Sequence, residues 1–120
     1  MINTVILIGR LTVDPEPKIF SSGTTSTSFT VAVDRNYKDK EGKKLTDFIP
    51  CQAIGNVAEF ANNYLSKGRL VALEGSLHID KYEKDGQKKT FTKVHVNRIQ
   101  ALDKKDTVNF QPTDEEEVPF

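Results

Sequence analysis

Asp47-Phe48-Ile49-Pro50-Cys51-Gln52-Ala53-Ile54 runs straight into Gly55-Asn56-Val57-Ala58-Glu59-Phe60-Ala61-Asn62-Asn63-Tyr64-Leu65. The change of period between the two decides the fold. In the first stretch the residues alternate. Successive strand side chains point to opposite sides, so Ile49, Cys51 and Ala53 make one small apolar face, and Phe48, Pro50, Gln52 and Ile54 make the other. With the first face in a core, Phe48 stands in solvent. In the second stretch Val57, Phe60, Ala61, Tyr64 and Leu65 recur at helical spacing and form one apolar stripe. Tyr64 lies on that stripe and is expected in the core. Asn56, with Glu59 three residues on, reads as an N-cap with a reciprocal partner. Gly68 reads as the C-terminal stop.

Upstream, Asn3–Leu11 is rich in β-branched residues and apolar on both faces. It is expected to be covered on one side by the domain's own core and on the other by a subunit contact. Asp14-Pro15-Glu16-Pro17 breaks that strand, and Lys18–Phe20 makes a short strand before the turn Ser21-Ser22-Gly23. Thr25–Arg35 alternates, with Phe29, Val31 and Val33 facing in and Ser28, Thr30, Ala32 and Asp34 facing out. Asn36–Thr46 reads as a polar loop with four lysines and one aromatic, Tyr37.

Downstream, Arg69–Tyr82 and Thr90–Ile99 form a hairpin whose tip is Asp85-Gly86, a strong signal for a tight turn. With those two as the loop, Leu77 faces Val94 and Ile79 faces Thr92 on the inner side. Tyr82 faces Lys89, Asp80 faces Phe91 and His78 faces Lys93 on the outer side. Strict alternation leaves Ile99 on the outer face, and a β-bulge near Asn97 would restore it. Five strands with one helix between the third and fourth is the order of an OB-fold, a small Greek-key barrel. Residues 1–102 form that domain. From Asp103 the apolar periodicity is lost, so residues 103–120 read as a disordered acidic tail.

The 120 residues suffice for one small core. No apolar run is long enough to span a membrane. Met1-Ile2-Asn3-Thr4-Val5 begins a strand and does not read as an export signal. The lone Cys51 cannot form an internal disulfide, which fits a reducing cytoplasm. The net charge of zero hides an asymmetry: residues 103–120 hold six acids and two bases, and the rest hold 15 bases and 11 acids. A basic body with an acidic tail suggests a polyanion as partner for the body and a protein surface for the tail.

Four aromatics face outward: Tyr37, Phe48, Tyr82 and Phe91. Every base of a single strand has a π-face, and stacking it on an aromatic ring contributes ~1–3 kcal/mol whatever the base. Duplex bases are already stacked on each other, so such a surface selects single strands. The cations gather in the same segments. Arg35, Lys38, Lys40, Lys43 and Lys44 lie in or beside the polar loop. Lys81, Lys84, Lys88, Lys89 and Lys93 lie on the hairpin. Arg10, Lys18, Lys67 and Arg69 complete the candidate phosphate contacts, each of which would release counterions. In the tail, Asp114-Glu115-Glu116-Glu117-Val118-Pro119-Phe120 closes a run of acids with an apolar tip. Its terminal ring and α-carboxylate suit a small apolar pocket beside an arginine.

Met1-Ile2-Asn3…Leu7-Ile8-Gly9-Arg10-Leu11…Asp14-Pro15-Glu16 resembles the start of the bacterial and phage single-stranded DNA-binding proteins. Phe29–Val33, Asp47-Phe48-Ile49, Ala58-Glu59…Tyr64-Leu65…Lys67-Gly68 and Glu74–Leu77 carry the same resemblance, as does the acidic tip ending Pro119-Phe120. The resemblance implies an OB-fold, a homotetramer and single-stranded DNA (ssDNA) wrapped over several subunits. Tyr37, Phe48 and Tyr82 match the family's stacking positions. Ile54 matches another, where the family commonly has an aromatic. The tip resembles the family's hook for replication, recombination and repair proteins. The alternative is an OB-fold accessory of replication restart that acts mainly through protein contacts.

No phosphate-binding glycine loop, nucleophile elbow or paired acids in a cleft are present, so no enzyme is expected. No metal or cofactor is expected either. His78, Asp80 and His95 share a face, with the histidines roughly 7–8 Å apart in an ideal hairpin, but they make no tight ligand set.

Overall fold

The alternating segments fold into strands and the stripe into a helix, in a computed structural model that describes residues 1–103. The strands are β1 (Val5–Leu11), β2 (Glu16–Ile19), β3 (Thr25–Lys38), β4 (Lys44–Ile54), β5 (Leu70–Lys84) and β6 (Gln87–Ala101), and the helix is α1 (Asn56–Tyr64). Hydrogen bonding runs β1-β5-β6-β4-β3, and β3 returns to β1. The sheet therefore closes into a five-stranded OB-fold barrel with the helix between its third and fourth strands. β2 hangs on the outside of β3 alone. All neighbours are antiparallel except β4 and β6, which meet in parallel at only two register pairs, Cys51↔Val94 and Gln52↔His95.

The inward residues fill the barrel. Leu11, Phe29, Val31, Cys51, Ala53, Val71, Leu73, Val94 and Val96 are buried, with Ile49 and Val33 packed at the margin. Burial pushes the Cys51 thiol up to about 12, so it behaves as a small hydrophobe and not as a reactive thiol. Closure demands close backbone approach at two glycines. A Cβ on Gly75 would collide with the His95 carbonyl oxygen, and one on Gly9 would collide with that of Ala32.

The β5–β6 register is the one the Asp85-Gly86 turn dictates. Leu77 pairs with Val94, Ile79 with Thr92, Asp80 with Phe91 and Tyr82 with Lys89. Both loop residues have positive φ, 54° at Asp85 and 79° at Gly86, as a tight primed turn requires. The register shifts where Glu74 pairs with Arg98 but Gly75 with Val96, leaving Asn97 as the extra residue. That bulge returns Ile99 to the core side, where it packs against the buried cluster.

Several local expectations are corrected. Tyr64 is not in the core; it is 63% exposed. The buried side of α1 centres on Ala58 and Ala61 with Leu65 beyond, and Tyr64 flanks it with its ring 5.3 Å from that of Phe60. Gly55, not Asn56, is the N-cap, and no side chain caps the helix. The helix ends at Tyr64, followed by extended Leu65, so Gly68 is not its stop. Gly68 instead sits in the next turn, its N–H bonded to the Leu11 carbonyl.

Leu77 and Ile79 are on the expected face but are exposed, Ile79 by 57%. Beyond Gly75, β5 has no partner but β6, and β6 keeps β4 beside it only as far as Val94, so past the Leu77–Val94 pair the hairpin leaves the barrel as a two-stranded arm. Asn36–Thr46 is not all loop, because β3 and β4 extend into it. A second two-stranded arm results, and only its tip, Asp39–Lys43, turns. The Asp39 carboxylate holds that tip by accepting from the N–H groups of Glu41 and Lys43. On β1 the outer face is uncovered among the described residues, with Ile6 70% exposed and Ile8 also exposed.

Candidate nucleic-acid interface

Phe48 is 65% exposed on β4. Its cross-strand neighbour on β3 is Ala32, and Pro50 and Gln52 face Thr30 and Ser28. These neighbours are too short to shield the β4 row, so the phenyl ring stands proud of the sheet. Phe91 approaches the same row from β6. Together with Ser28, Thr30, Pro50, Gln52 and Lys93 it borders an open hollow of about 320 Å³. Ile54 ends the row, 39% exposed and aliphatic. Phe48 also rims a second hollow of about 440 Å³ at the barrel mouth, shared with Leu7, Ile49, Leu77 and Val94. Tyr37 and Tyr82 are exposed on the two arms. Tyr82 borders a hollow with Lys81, Lys88, Lys89 and Thr90.

The candidate cations fall into two groups. Five are already engaged. Arg35 makes a two-pronged pair with Asp47, Nη2 to Oδ1 at 2.9 Å and Nε to Oδ2 at 3.0 Å, and donates to the Tyr37 hydroxyl at 3.2 Å. The hydrogen bonding to Asp47 holds that carboxyl below its ordinary range and raises the guanidinium further. Lys93, largely buried at its side chain, donates to Asp80 at 2.9 Å and to the Gln52 Oε1 at 2.6 Å. Arg69 and Arg10 both reach Asp103, at 2.8 and 3.4 Å. Lys44 pairs with Asp34, which also accepts from the Thr46 hydroxyl; that bond and Lys44 lower the Asp34 carboxyl. The others, Lys18, Lys38, Lys40, Lys43, Lys67, Lys81, Lys84, Lys88 and Lys89, are exposed or nearly so and form no ion pair among the described residues.

The chain matches the model of the single-strand binding protein family over residues 2–102. It belongs to that family. A single-stranded DNA-binding protein of Thermotoga maritima is 40% identical over 98% of this chain and 86% of its own length. Single-stranded DNA-binding protein 1 of Staphylococcus aureus is 43% identical over 89% of this chain and 69% of its own. Among solved structures, a chain of the Plasmodium falciparum SSB complex with ssDNA superposes with a TM-score of 0.79 at 31% identity, covering 86% of this chain and 96% of that one. Membership in the single-strand binding protein family places the chain among binding proteins and not among enzymes.

Within this family member, the fold reveals partners that alternation could not. Asp103, where the apolar periodicity ends, is tied to the barrel through Arg69, Arg10 and the Leu70 N–H. The Gln52–Lys93–Asp80 chain depends on β4 and β6 meeting in parallel, which no local pattern announces. The Arg35–Asp47 pair was accessible in principle, since continuing the β3–β4 alternation places both on the row of Val33 and Ile49, the inward face carried on past the barrel. The tail candidates Asp114, Glu115, Glu116, Glu117, Val118, Pro119 and Phe120 lie outside the described residues. Among the described residues no three His, Cys, Asp or Glu side chains gather as metal ligands, and no helix is long and apolar enough to cross a membrane.

Proposed function

We propose that this chain binds ssDNA without sequence preference, holding bases on Phe48, Phe91, Tyr37 and Tyr82 and phosphates on the unpaired lysines. The observation that carries this reading is the set of exposed rings on the outer surface of a barrel whose arms bear unpaired lysines. Rings accept any base, and lysines accept any phosphate. The fold it shares with the Plasmodium SSB supports the reading. Ile54 serves as a weaker, aliphatic platform at the end of the β4 row. The protein acts in the cytoplasm, protecting exposed strands during replication, recombination and repair.

Titration with oligo-dT and with a matched duplex, at low and moderate salt, tests this through tyrosine fluorescence, since the chain has no tryptophan. Strong quenching by oligo-dT alone, fading with salt, is expected. Equal affinity for duplex would defeat the reading.

Two finer features belong to it. The exposed Ile6 and Ile8 on β1 form the contact that assembles a homotetramer, which sedimentation of the wild type against Ile6→Lys would show as a loss of mass. The tip, Asp114 to Phe120, recruits replication, recombination and repair proteins. Deleting Phe120 should abolish capture of those partners and leave ssDNA affinity equal or higher; retained capture would discard the tip as the hook.

A further inference from the structure

His78 and His95 lie diagonally across the outer face of the β5–β6 hairpin, His78 opposite Lys93 and His95 opposite Ser76. Their rings are stacked, with centroids 5.0 Å apart and planes 12° from parallel, closer than the hairpin diagonal alone implies. His78 is exposed and His95 half-buried. The Nε2 of His78 is 3.1 Å from the Ser76 hydroxyl. Stacked rings present faces to each other and do not aim their nitrogens at a common point, the wrong disposition for gripping a metal. The pair shares its face with Asp80 and Tyr82 on β5 and with Phe91 and Lys93 on β6, the same outer surface as the candidate stacking rings.

The charged surroundings are nearly balanced. On β5 and β6, Asp80 is paired with Lys93 and Glu74 with Arg98. β4 presents Gln52 and Ile54 there, and β1 presents Ile6, all uncharged. The only charged group of α1, which also packs on β6, is Glu59. Burial, His78 and Lys93 together hold the His95 imidazole below its ordinary range. In the free protein this face therefore carries, in His95, a neutral imidazole near neutral pH, stacked on the His78 ring.

From this geometry we infer that the His78–His95 pair is a proton-linked contact for ssDNA, taking up one proton when a nucleotide phosphate settles beside it. The inference rests on the ssDNA-binding reading above. A phosphate beside the rings favours the charged imidazolium. Two charges 5.0 Å apart repel, so the pair titrates as a unit and gains one proton rather than two. Whatever favours protonation on binding must, by linkage, favour binding on protonation. The charged pair then adds one phosphate contact, which steepens the dependence of log K on log salt by about 0.7 for a single strand. Affinity and stability then move in opposite directions. Acid strengthens the complex, while the lowered His95 makes the free fold lose stability as pH falls through and below the ordinary imidazole range.

The test is the Kd of the full chain for oligo-dT at fixed ionic strength, between about pH 5.5 and about pH 8.5, a window that spans imidazole titration. Wild type is compared with H78Q/H95Q and with H78R, and proton uptake is read by calorimetry in two buffers of different ionisation enthalpy. Wild type should tighten by about three- to tenfold on acidification, with up to one proton taken up per site. H78Q/H95Q should lose that rise, and H78R should bind tightly with little change across the window. Binding whose pH profile is the same in wild type and H78Q/H95Q, or binding without proton uptake, overturns the proposal and leaves the ssDNA reading standing. Absence of oligo-dT binding at every pH would instead defeat the ssDNA reading and this proposal with it. Should H78Q/H95Q fail to fold, H78R decides alone, because a fixed guanidinium retaining the wild-type pH response is incompatible with a titrating pair.

Discussion

Two arms leave this barrel, built alike and charged differently. Each is a two-stranded extension past the last residue that a third strand supports, and each carries exposed rings. At the root of the β3–β4 arm the charges are matched internally: Arg35 grips Asp47 and the Tyr37 hydroxyl, and Lys44 pairs with Asp34, while Lys38, Lys40 and Lys43 toward the tip form no ion pair among the described residues. On the β5–β6 arm Lys81, Lys84, Lys88 and Lys89 form no ion pair among the described residues. A paired arginine holds a ring in place but has less charge left to give to a phosphate. An unpaired lysine is free to condense onto the strand and release its counterion. In the proposed reading, the paired root of the β3–β4 arm would position bases, and the β5–β6 arm would collect phosphates along its whole length.

The largest effect should come from the ring at the root of the positioning arm. Phe48→Ala removes the ring that stands above Ala32 and borders the barrel mouth. Its loss should weaken oligo-dT binding by ~1–3 kcal/mol, about five- to 150-fold. The thermal midpoint should stay close to wild type, since the side chain is mostly in water. Tyr82→Ala should cost less on the phosphate-collecting arm. Equal losses at the two sites would erase the division of labour between the arms, and a loss below a few tenths of a kcal/mol would remove Phe48 from the site.

Salt sharpens the comparison next. Replacing both Lys88 and Lys89 by Gln should flatten the slope of log K against log salt by about 0.7 for each phosphate left without its lysine. Arg35→Gln should flatten it by much less, because its charge is already spent on Asp47. Its effect should appear instead as a weakened fluorescence response from the freed Tyr37. A slope change at Arg35 equal to that of a lysine would show that the ion pair opens when DNA arrives.

Much of this arrangement is legible in the order of the residues. Asp85-Gly86 specifies a register that holds pair by pair, and the misplacement of Ile99 locates the bulge at Asn97. Phe48 declares itself by alternating with Ile49 and Cys51. What alternation cannot say is where a strand outruns the barrel. Leu77 and Ile79 lie on the expected face yet meet water, because burial depends on a third strand and not on the face alone. Helical periodicity likewise gives a stripe but not the part of it that meets the core, and so misplaces Tyr64. The division between spent and free cations is hidden for a similar reason. The partners of Arg69 and Lys93 arrive from segments 34 and 41 residues away, and only the closed sheet brings them together.

The smallest expected effect separates the arms by acid. Asp47 and Asp34 are both held below the ordinary carboxylate range, by the Arg35 hydrogen bond and the Thr46 hydrogen bond respectively. A carboxylate lowered in the fold contributes stability above its unfolded value and loses it as pH falls through the folded one. The β3–β4 arm should therefore loosen only below about pH 4, where Asp47 and Asp34 take up protons. The guanidinium stays charged throughout, so the loss belongs to the acids alone. Both pairs are solvent-exposed, which keeps the change local and small. Amide exchange at Tyr37 and Thr46 should quicken in that range. Exchange at Tyr82 and Lys89, whose arm carries no such pair near its tip, should follow only the intrinsic pH trend. Parallel loosening of both arms would mean that the barrel beneath them, and not the Arg35–Asp47 pair, sets their stiffness.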